Sequence, residues 1–199
     1  MFAATLLAFA SGAFAMPAAL STRQDPCNAL GVGSTSSLAY NFKLTVIDPS
    51  VTYDPTYTGA PLALVSGNSD GLWWLKEIHQ TASGVFSGWT LEGGALIPEP
   101  RSPNGGLVGS DMSVAAGSIV EFAVTNNGSA NAGAGQTPYC AVTDAGGNAT
   151  LTVNGDGNSF SVCQTPSLDW ILVYSASSDN SGAYTLGSCT KQQVYLIRA

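Results

Sequence analysis

From Tyr40 onward the apolar side chains fall at every second position. Phe42-Lys43-Leu44-Thr45-Val46 alternates cleanly, the period at which a strand turns one face to a core and the other to water. Asp48-Pro49 and Asp54-Pro55 then interrupt the chain before the apolar run Pro61 to Val65. The turn Gly67-Asn68-Ser69-Asp70-Gly71 feeds Leu72 to Ile78, whose shortness and paired aromatics favour a strand over a helix. Two segments carry hairpin signals: Trp89 to Pro98 around Gly93-Gly94, and Ala149 to Cys163 around Asn154-Gly155-Asp156-Gly157-Asn158. Further strands are expected over Met112 to Ala115, Ser118 to Thr125, Tyr139 to Thr143, Asp169 to Ala176 and Val194 to Arg198. No amphipathic helical stretch of ordinary length appears. The pattern predicts an all-β fold, an antiparallel β-sandwich or barrel of about 10–12 short strands. The likeness of the two hairpins leaves a β-trefoil as the alternative.

The first residues read differently. Residues 1–15 hold no charged side chain, run apolar from Phe2 to Ala10 but for Thr5, and close on Ala13-Phe14-Ala15, the small-x-small pattern of a signal-peptide cleavage site. The expected organisation is therefore a signal peptide over 1–15, an extended arm over 16–38 poor in apolar period, and one all-β domain over 39–199. No later run reaches the roughly 18 apolar residues that a helix needs to cross a bilayer, so no membrane span is expected and the product is placed outside the cell or in its wall. Four cysteines, Cys27, Cys140, Cys163 and Cys189, form an even set that favours two disulfides in an exported chain. None has C-x-x-C spacing and the single histidine, His79, is remote, which argues against a metal centre. Of the three possible pairings, Cys140–Cys163 is preferred because it brackets one hairpin-rich segment, with Cys27–Cys189 tying the chain ends. The sequons Asn127-Gly128-Ser129 and Asn148-Ala149-Thr150 lie in polar, turn-like stretches suited to N-glycosylation.

Composition sharpens this picture. Of 199 residues only 10% are charged, against about 25% in an ordinary soluble domain. The surface is built mainly from Ser, Thr, Asn, Gln and Gly. A net charge of −7 repels phosphate backbones, which makes nucleic acid a poor partner. A hydrophobic content of 45% is enough to bury a core.

Several features together resemble small secreted fungal cell-surface proteins, the loose group of phialide-type cell wall proteins and IgE-binding surface antigens. They are the leader, the strand ending Ser159-Phe160-Ser161-Val162-Cys163, Trp170 in the next strand, and Cys189 shortly before Val194-Tyr195-Leu196-Ile197. The strand Phe42-x-Leu44 and the run Gly59-Ala60-Pro61-Leu62-Ala63-Leu64 resemble secreted proteins of mushroom-forming fungi. The resemblance implies an extracellular or wall-associated role. It implies no reaction, catalytic residue or cofactor. After Cys189 the chain continues Thr190-Lys191-Gln192-Gln193, where those wall proteins carry an apolar stretch.

The candidate chemistry is sparse. His79 is the one imidazole available as a base, there is no Gly-x-Ser-x-Gly elbow, and His79 reads as a structural or solvent-facing side chain. Glycoside hydrolysis needs only two carboxyl groups, and Glu77, Glu92, Glu99, Asp111, Glu121 and Asp169 are eligible, though none stands in a recognisable pair. Asn154-Gly155-Asp156-Gly157-Asn158 opens like a calcium loop, but Ser159 and Thr165 fall where that loop needs Gly and Glu; a turn explains it better. The tryptophans carry most interest, because a flat indole stacks on the apolar face of a sugar. On a strand one of Trp73 and Trp74 points inward and the other outward, and the outward one is the expected platform, with Tyr53 and Tyr57 as weaker partners. The sequence thus predicts a glycosylated, disulfide-bonded, non-enzymatic surface protein that binds wall polysaccharide. The alternatives are a two-carboxylate hydrolase and a secreted effector or antigen that binds another protein.

Overall fold

The computed structural model describes residues 26–51, 59–67, 72–78, 86–99, 108–111, 113–125 and 138–199. The expected leader, residues 16–25 of the expected arm, and Tyr53, Tyr57, His79 and Asn127 lie outside them. After one 3-10 turn, Pro26–Leu30, every regular element among the described residues is a strand. In chain order these are β1 (Ser34–Thr35), β2 (Phe42–Ile47), β3 (Ala60–Ser66), β4 (Leu72–Glu77), β5 (Gly88–Glu92), β6 (Ala95–Glu99) and β7 (Val108–Asp111). There follow β8 (Glu121–Thr125), β9 (Tyr139–Thr143), β10 (Ala149–Val153), β11 (Phe160–Gln164), β12 (Trp170–Tyr174), β13 (Thr185–Lys191) and β14 (Gln193–Arg198). The all-β expectation holds, with 14 strands among the described residues where 10–12 were expected.

All pairings are antiparallel and join the strands into one network ordered β1-β9-β10-β14-β2-β3-β4-β12-β11-β13. The pair β5-β6 branches from β2, and the pair β8-β7 branches from β4. The sheet does not close into a barrel, which also removes the trefoil, a fold built on a closed barrel. Yet Tyr139 and Leu151 from one end share a buried cluster with Phe160 and Leu172 from the other. The sheet therefore curls over its own inner face. Alternation explains this: in β2 Phe42 and Leu44 are fully buried while Lys43 between them is exposed. Strand β12 is buried on both faces. Its Leu172 joins the main core, while Ile171 and Val173 face a second, smaller cluster with Trp74, Cys163 and Tyr184.

The Gly93-Gly94 signal is confirmed. Glu92 pairs with Ala95, and the two glycines have φ of 58° and 88°, the positive values that a two-residue type I′ turn requires. The second expected hairpin is corrected. Strands β10 and β11 do not pair, because β10 already has β9 and β14 at its edges and β11 has β12 and β13. A tight reversal at Asn154-Gly155, where Val153 and Asp156 exchange backbone hydrogen bonds, turns the chain out of the β10 ladder before β11 begins. The segment from Ser113 to Ala115, within the expected strand Met112 to Ala115, is irregular, and the strand of that region lies earlier, at β7.

The preferred disulfide pairing is also corrected. The bridges are Cys27–Cys140 and Cys163–Cys189, with Cα separations of 5.7 and 4.1 Å. The strand order explains why. Strand β9, carrying Cys140, sits beside β1 and hence beside the Pro26–Leu30 turn that holds Cys27. Strand β11, carrying Cys163, pairs with β13, which holds Cys189 across a bulge. Cys140 and Cys163 are near in sequence, but β9 and β11 share no ladder, and each cysteine meets its partner across an adjoining element instead.

Candidate functional site

Strand alternation splits the tryptophan pair as expected, but neither ring is a bare platform. Trp73 leans toward the main core and meets Phe86 edge-on at 5.8 Å between centroids. Trp74 takes the opposite face, where Ile119, Ile171, Val173 and Tyr184 cover it and leave it 8% exposed. Gly67 packs so close to its indole that an added Cβ would stand 2.9 Å from Cε2 and Nε1. The other two indoles serve packing: Trp89 is fully buried and Trp170 packs half-buried against the core.

Trp74 nevertheless forms the base of a depression on this outer face. The β4–β8 register sets Glu121 opposite Trp74. With Ile119, Thr165, Ser167 and Ala183 the two enclose a cavity of about 510 Å³. A second depression of about 300 Å³ shares Ile119, Glu121 and Ala183 and continues past Ser118 to Asp179 and Asn180. The two make one trough with an apolar floor and polar walls.

Three short loops build those walls, each fixed by its own hydrogen bonds. In the first, residues 113–120, the Ser118 hydroxyl donates to the Ala115 carbonyl, while Gly117 N–H donates to Tyr174 O and Tyr174 N–H to Ser118 O, docking the loop along β12. In the second, residues 165–169, the Thr165 hydroxyl accepts from Asp169 N–H at 3.1 Å, and Leu168 is held at φ 69°. In the third, residues 175–184, the Asn180 side-chain oxygen accepts from Gly182 N–H at 2.9 Å. Tyr184 clamps the first and third loops together. Its hydroxyl donates to Gly117 O and accepts from Ser177 N–H, both at 2.9 Å.

Among the described residues, Glu121 and Asp179 are the charged groups that line the trough, with Lys76 and Asp169 near Trp74. Lys76 donates to Asp169 at 3.0 Å and lies 5.5 Å from the Trp74 ring centroid, so the cation caps the indole. Burial raises the Glu121 carboxyl above its ordinary range, and the Trp74 indole beside it opposes part of that rise. The indole N–H is buried and its approach to Glu121 falls short of hydrogen-bond geometry.

Of the acids named from sequence, Glu121 and Asp169 are thus brought to the surroundings of Trp74. Glu77 ends β4, Glu92 ends β5 and Glu99 ends β6, away from the trough lining, and Asp111 ends β7. The Asp156 carboxylate of the calcium-like loop accepts from Asn158 N–H and from the Ser159 hydroxyl. Those bonds hold its pKa below the ordinary range and mark a turn. Asn148 stands in the β9–β10 connection, its side chain donating to Asp144 at 3.1 Å. Ser167, Asn180 and Ala183 escaped notice in the sequence, since small and polar loop residues carry no motif, and Ile119 and Thr165 gave no sign there of lining a site. Neither a family model, nor a curated protein, nor a solved structure matches this chain.

Proposed function

We propose that the chain is a secreted surface protein of the fungal wall type, N-glycosylated and without catalytic activity, which holds a neutral polysaccharide strand in the trough over Trp74. The supporting observation is the trough's construction. An apolar floor of Trp74, Ile119 and Ala183 runs between Glu121, Thr165, Ser167 and Asn180, matching a sugar's alternation of C–H faces and hydroxyl edges. The two disulfides fit an oxidising compartment. The acidic, weakly charged composition suits a neutral ligand better than a polyanion such as nucleic acid.

Cosedimentation with insoluble chitin and β-glucan tests this reading. The wild-type chain is expected in the pellet at low and moderate salt, with Ala183→Trp, which fills the trough, left in the supernatant. Wild-type protein that stays in solution with both polymers contradicts it. Capture of one specific protein in place of glycan would point to an effector or antigen role. A second reading, glycoside hydrolysis, draws on the raised Glu121 carboxyl, the state a general acid requires. Reducing-sugar release abolished by Glu121→Gln would establish it.

A further inference from the structure

Away from the trough, the outer face of β10 and β14 carries a second groove, of about 340 Å³, lined by Tyr40, Asn148, Tyr195, Ile197 and Arg198. Its position follows from the register. Ala149 pairs with Leu196 and both point inward, which leaves Asn148, Tyr195 and Ile197 on the opposite face. Tyr40 and Tyr195 are half-buried, and the Arg198 guanidinium lies 5.0 Å from the Tyr40 ring centroid. Asn148 is also the acceptor of a sequon, Asn148-Ala149-Thr150. The groove and the attachment atom therefore belong to one surface.

We infer that this groove is the seat of an N-glycan carried by Asn148 itself, the first N-acetylglucosamine lying across β14 against Tyr195 and Tyr40. The inference rests on the export proposed above, since the modification occurs in the secretory route. In the transfer step the Asn148 Nδ2 gives up one proton and bonds to C1 of the sugar. The C1–O bond to a polyprenyl-diphosphate oligosaccharide breaks, and the diphosphate leaves with the bonding pair. Nδ2, which donates to Asp144 at 3.1 Å, keeps one N–H as a donor after the modification. Asp144 also accepts from Asn148 N–H at 2.9 Å, which fixes the residue at the groove's mouth. The Tyr195 ring offers an apolar face to the sugar ring, and Arg198, held over Tyr40, offers donors to its hydroxyls and acetamide carbonyl.

The test uses the full chain with its own leader, expressed in a eukaryotic secreting host. Amidase release in heavy-oxygen water marks an occupied Asn148 by its conversion to labelled Asp. Native-state release by the same amidase then reads docking. The inference expects Asn148 to be occupied and its glycan released slowly from the folded protein. Release should quicken about tenfold in Tyr40→Ala/Tyr195→Ala and in Arg198→Ala, the latter keeping both rings. An exported chain with bare Asn148, or release equally fast in wild type and in every variant that melts like it, overturns the inference. Retention of the chain inside the cell overturns export, and with it this inference's premise.

Discussion

Replacing Tyr184 by Phe removes a single oxygen from the joint between two trough walls. The hydroxyl donates to Gly117 O and accepts from Ser177 N–H at 2.9 Å, with Ser177 O a further acceptor at 3.2 Å. Tyr184 is 3% exposed, so water has little access to replace what is lost. Two such bonds contribute about 1 kcal/mol each net, and the groups left behind are partly stranded, so the substitution should cost about 2 kcal/mol. For a chain of this length that corresponds to a fall in Tm of about 4–8 °C. Equilibrium urea unfolding with the disulfides intact is the assay, and the midpoint should fall with the slope unchanged. Because Gly117 and the 175–184 loop both border the trough, glycan affinity should weaken in the folded variant. A loss below about 0.5 kcal/mol would show that the hydroxyl is not the clamp described.

Non-reducing proteolysis should yield linked peptides containing Cys27 with Cys140 and Cys163 with Cys189; a Cys140–Cys163 peptide would contradict the strand order itself. The bridges span 113 and 26 residues, so loop entropy assigns losses of about 4.8 and about 3.5 kcal/mol on removing each by paired Cys→Ala changes, measurable by urea unfolding. Glu121→Gln probes pH. Its carboxyl is raised in the folded state, so its ionisation subtracts stability as pH climbs through and above the ordinary glutamate range. The variant should match or exceed wild type at pH 7 and lose that advantage on acidification below that range, and a wild-type advantage confined to neutral pH would reverse the assignment. Gly59→Ala and Gly93→Ala form a matched pair, both at positive φ, but a Cβ at Gly59 would meet Val46 O at 2.4 Å whereas at Gly93 it meets nothing. Thermal melts should show Gly93→Ala costing about 1 kcal/mol and Gly59→Ala distinctly more; equal losses would contradict the packing.

Elements with strong local signals were legible from the chain. The alternation in β2, the Gly-Gly turn between β5 and β6, and the apolar runs of β9 and β14 each appear where the pattern places them. Strand β13 escaped because Thr185–Lys191 is mostly exposed and lacks an alternating apolar face. Its place is set by pairing with β11, a tertiary fact. The same cause misled the disulfide pairing and the β10–β11 hairpin, since proximity in sequence stood in for a strand order that no local pattern encodes. The trough was half legible. That one of Trp73 and Trp74 faces outward follows from the period of two, though not which, and Glu121 and Asp169 were among the acids named. That Tyr184 and Ile119 would pack around the indole, turning a platform into part of a trough floor, depends on loops joined by long-range bonds such as Tyr184 to Gly117.

The claim that a neutral glycan lies over Trp74 is tested most directly by titrating the isotope-labelled protein with chitin and β-glucan oligosaccharides and following its amide and indole NMR signals. Saturable shifts are expected at Trp74, Ile119, Glu121, Thr165, Ser167 and Ala183, and their loss in Ala183→Trp. Shifts absent from those residues at saturating oligosaccharide, or gathered on another face of the sheet, would contradict it.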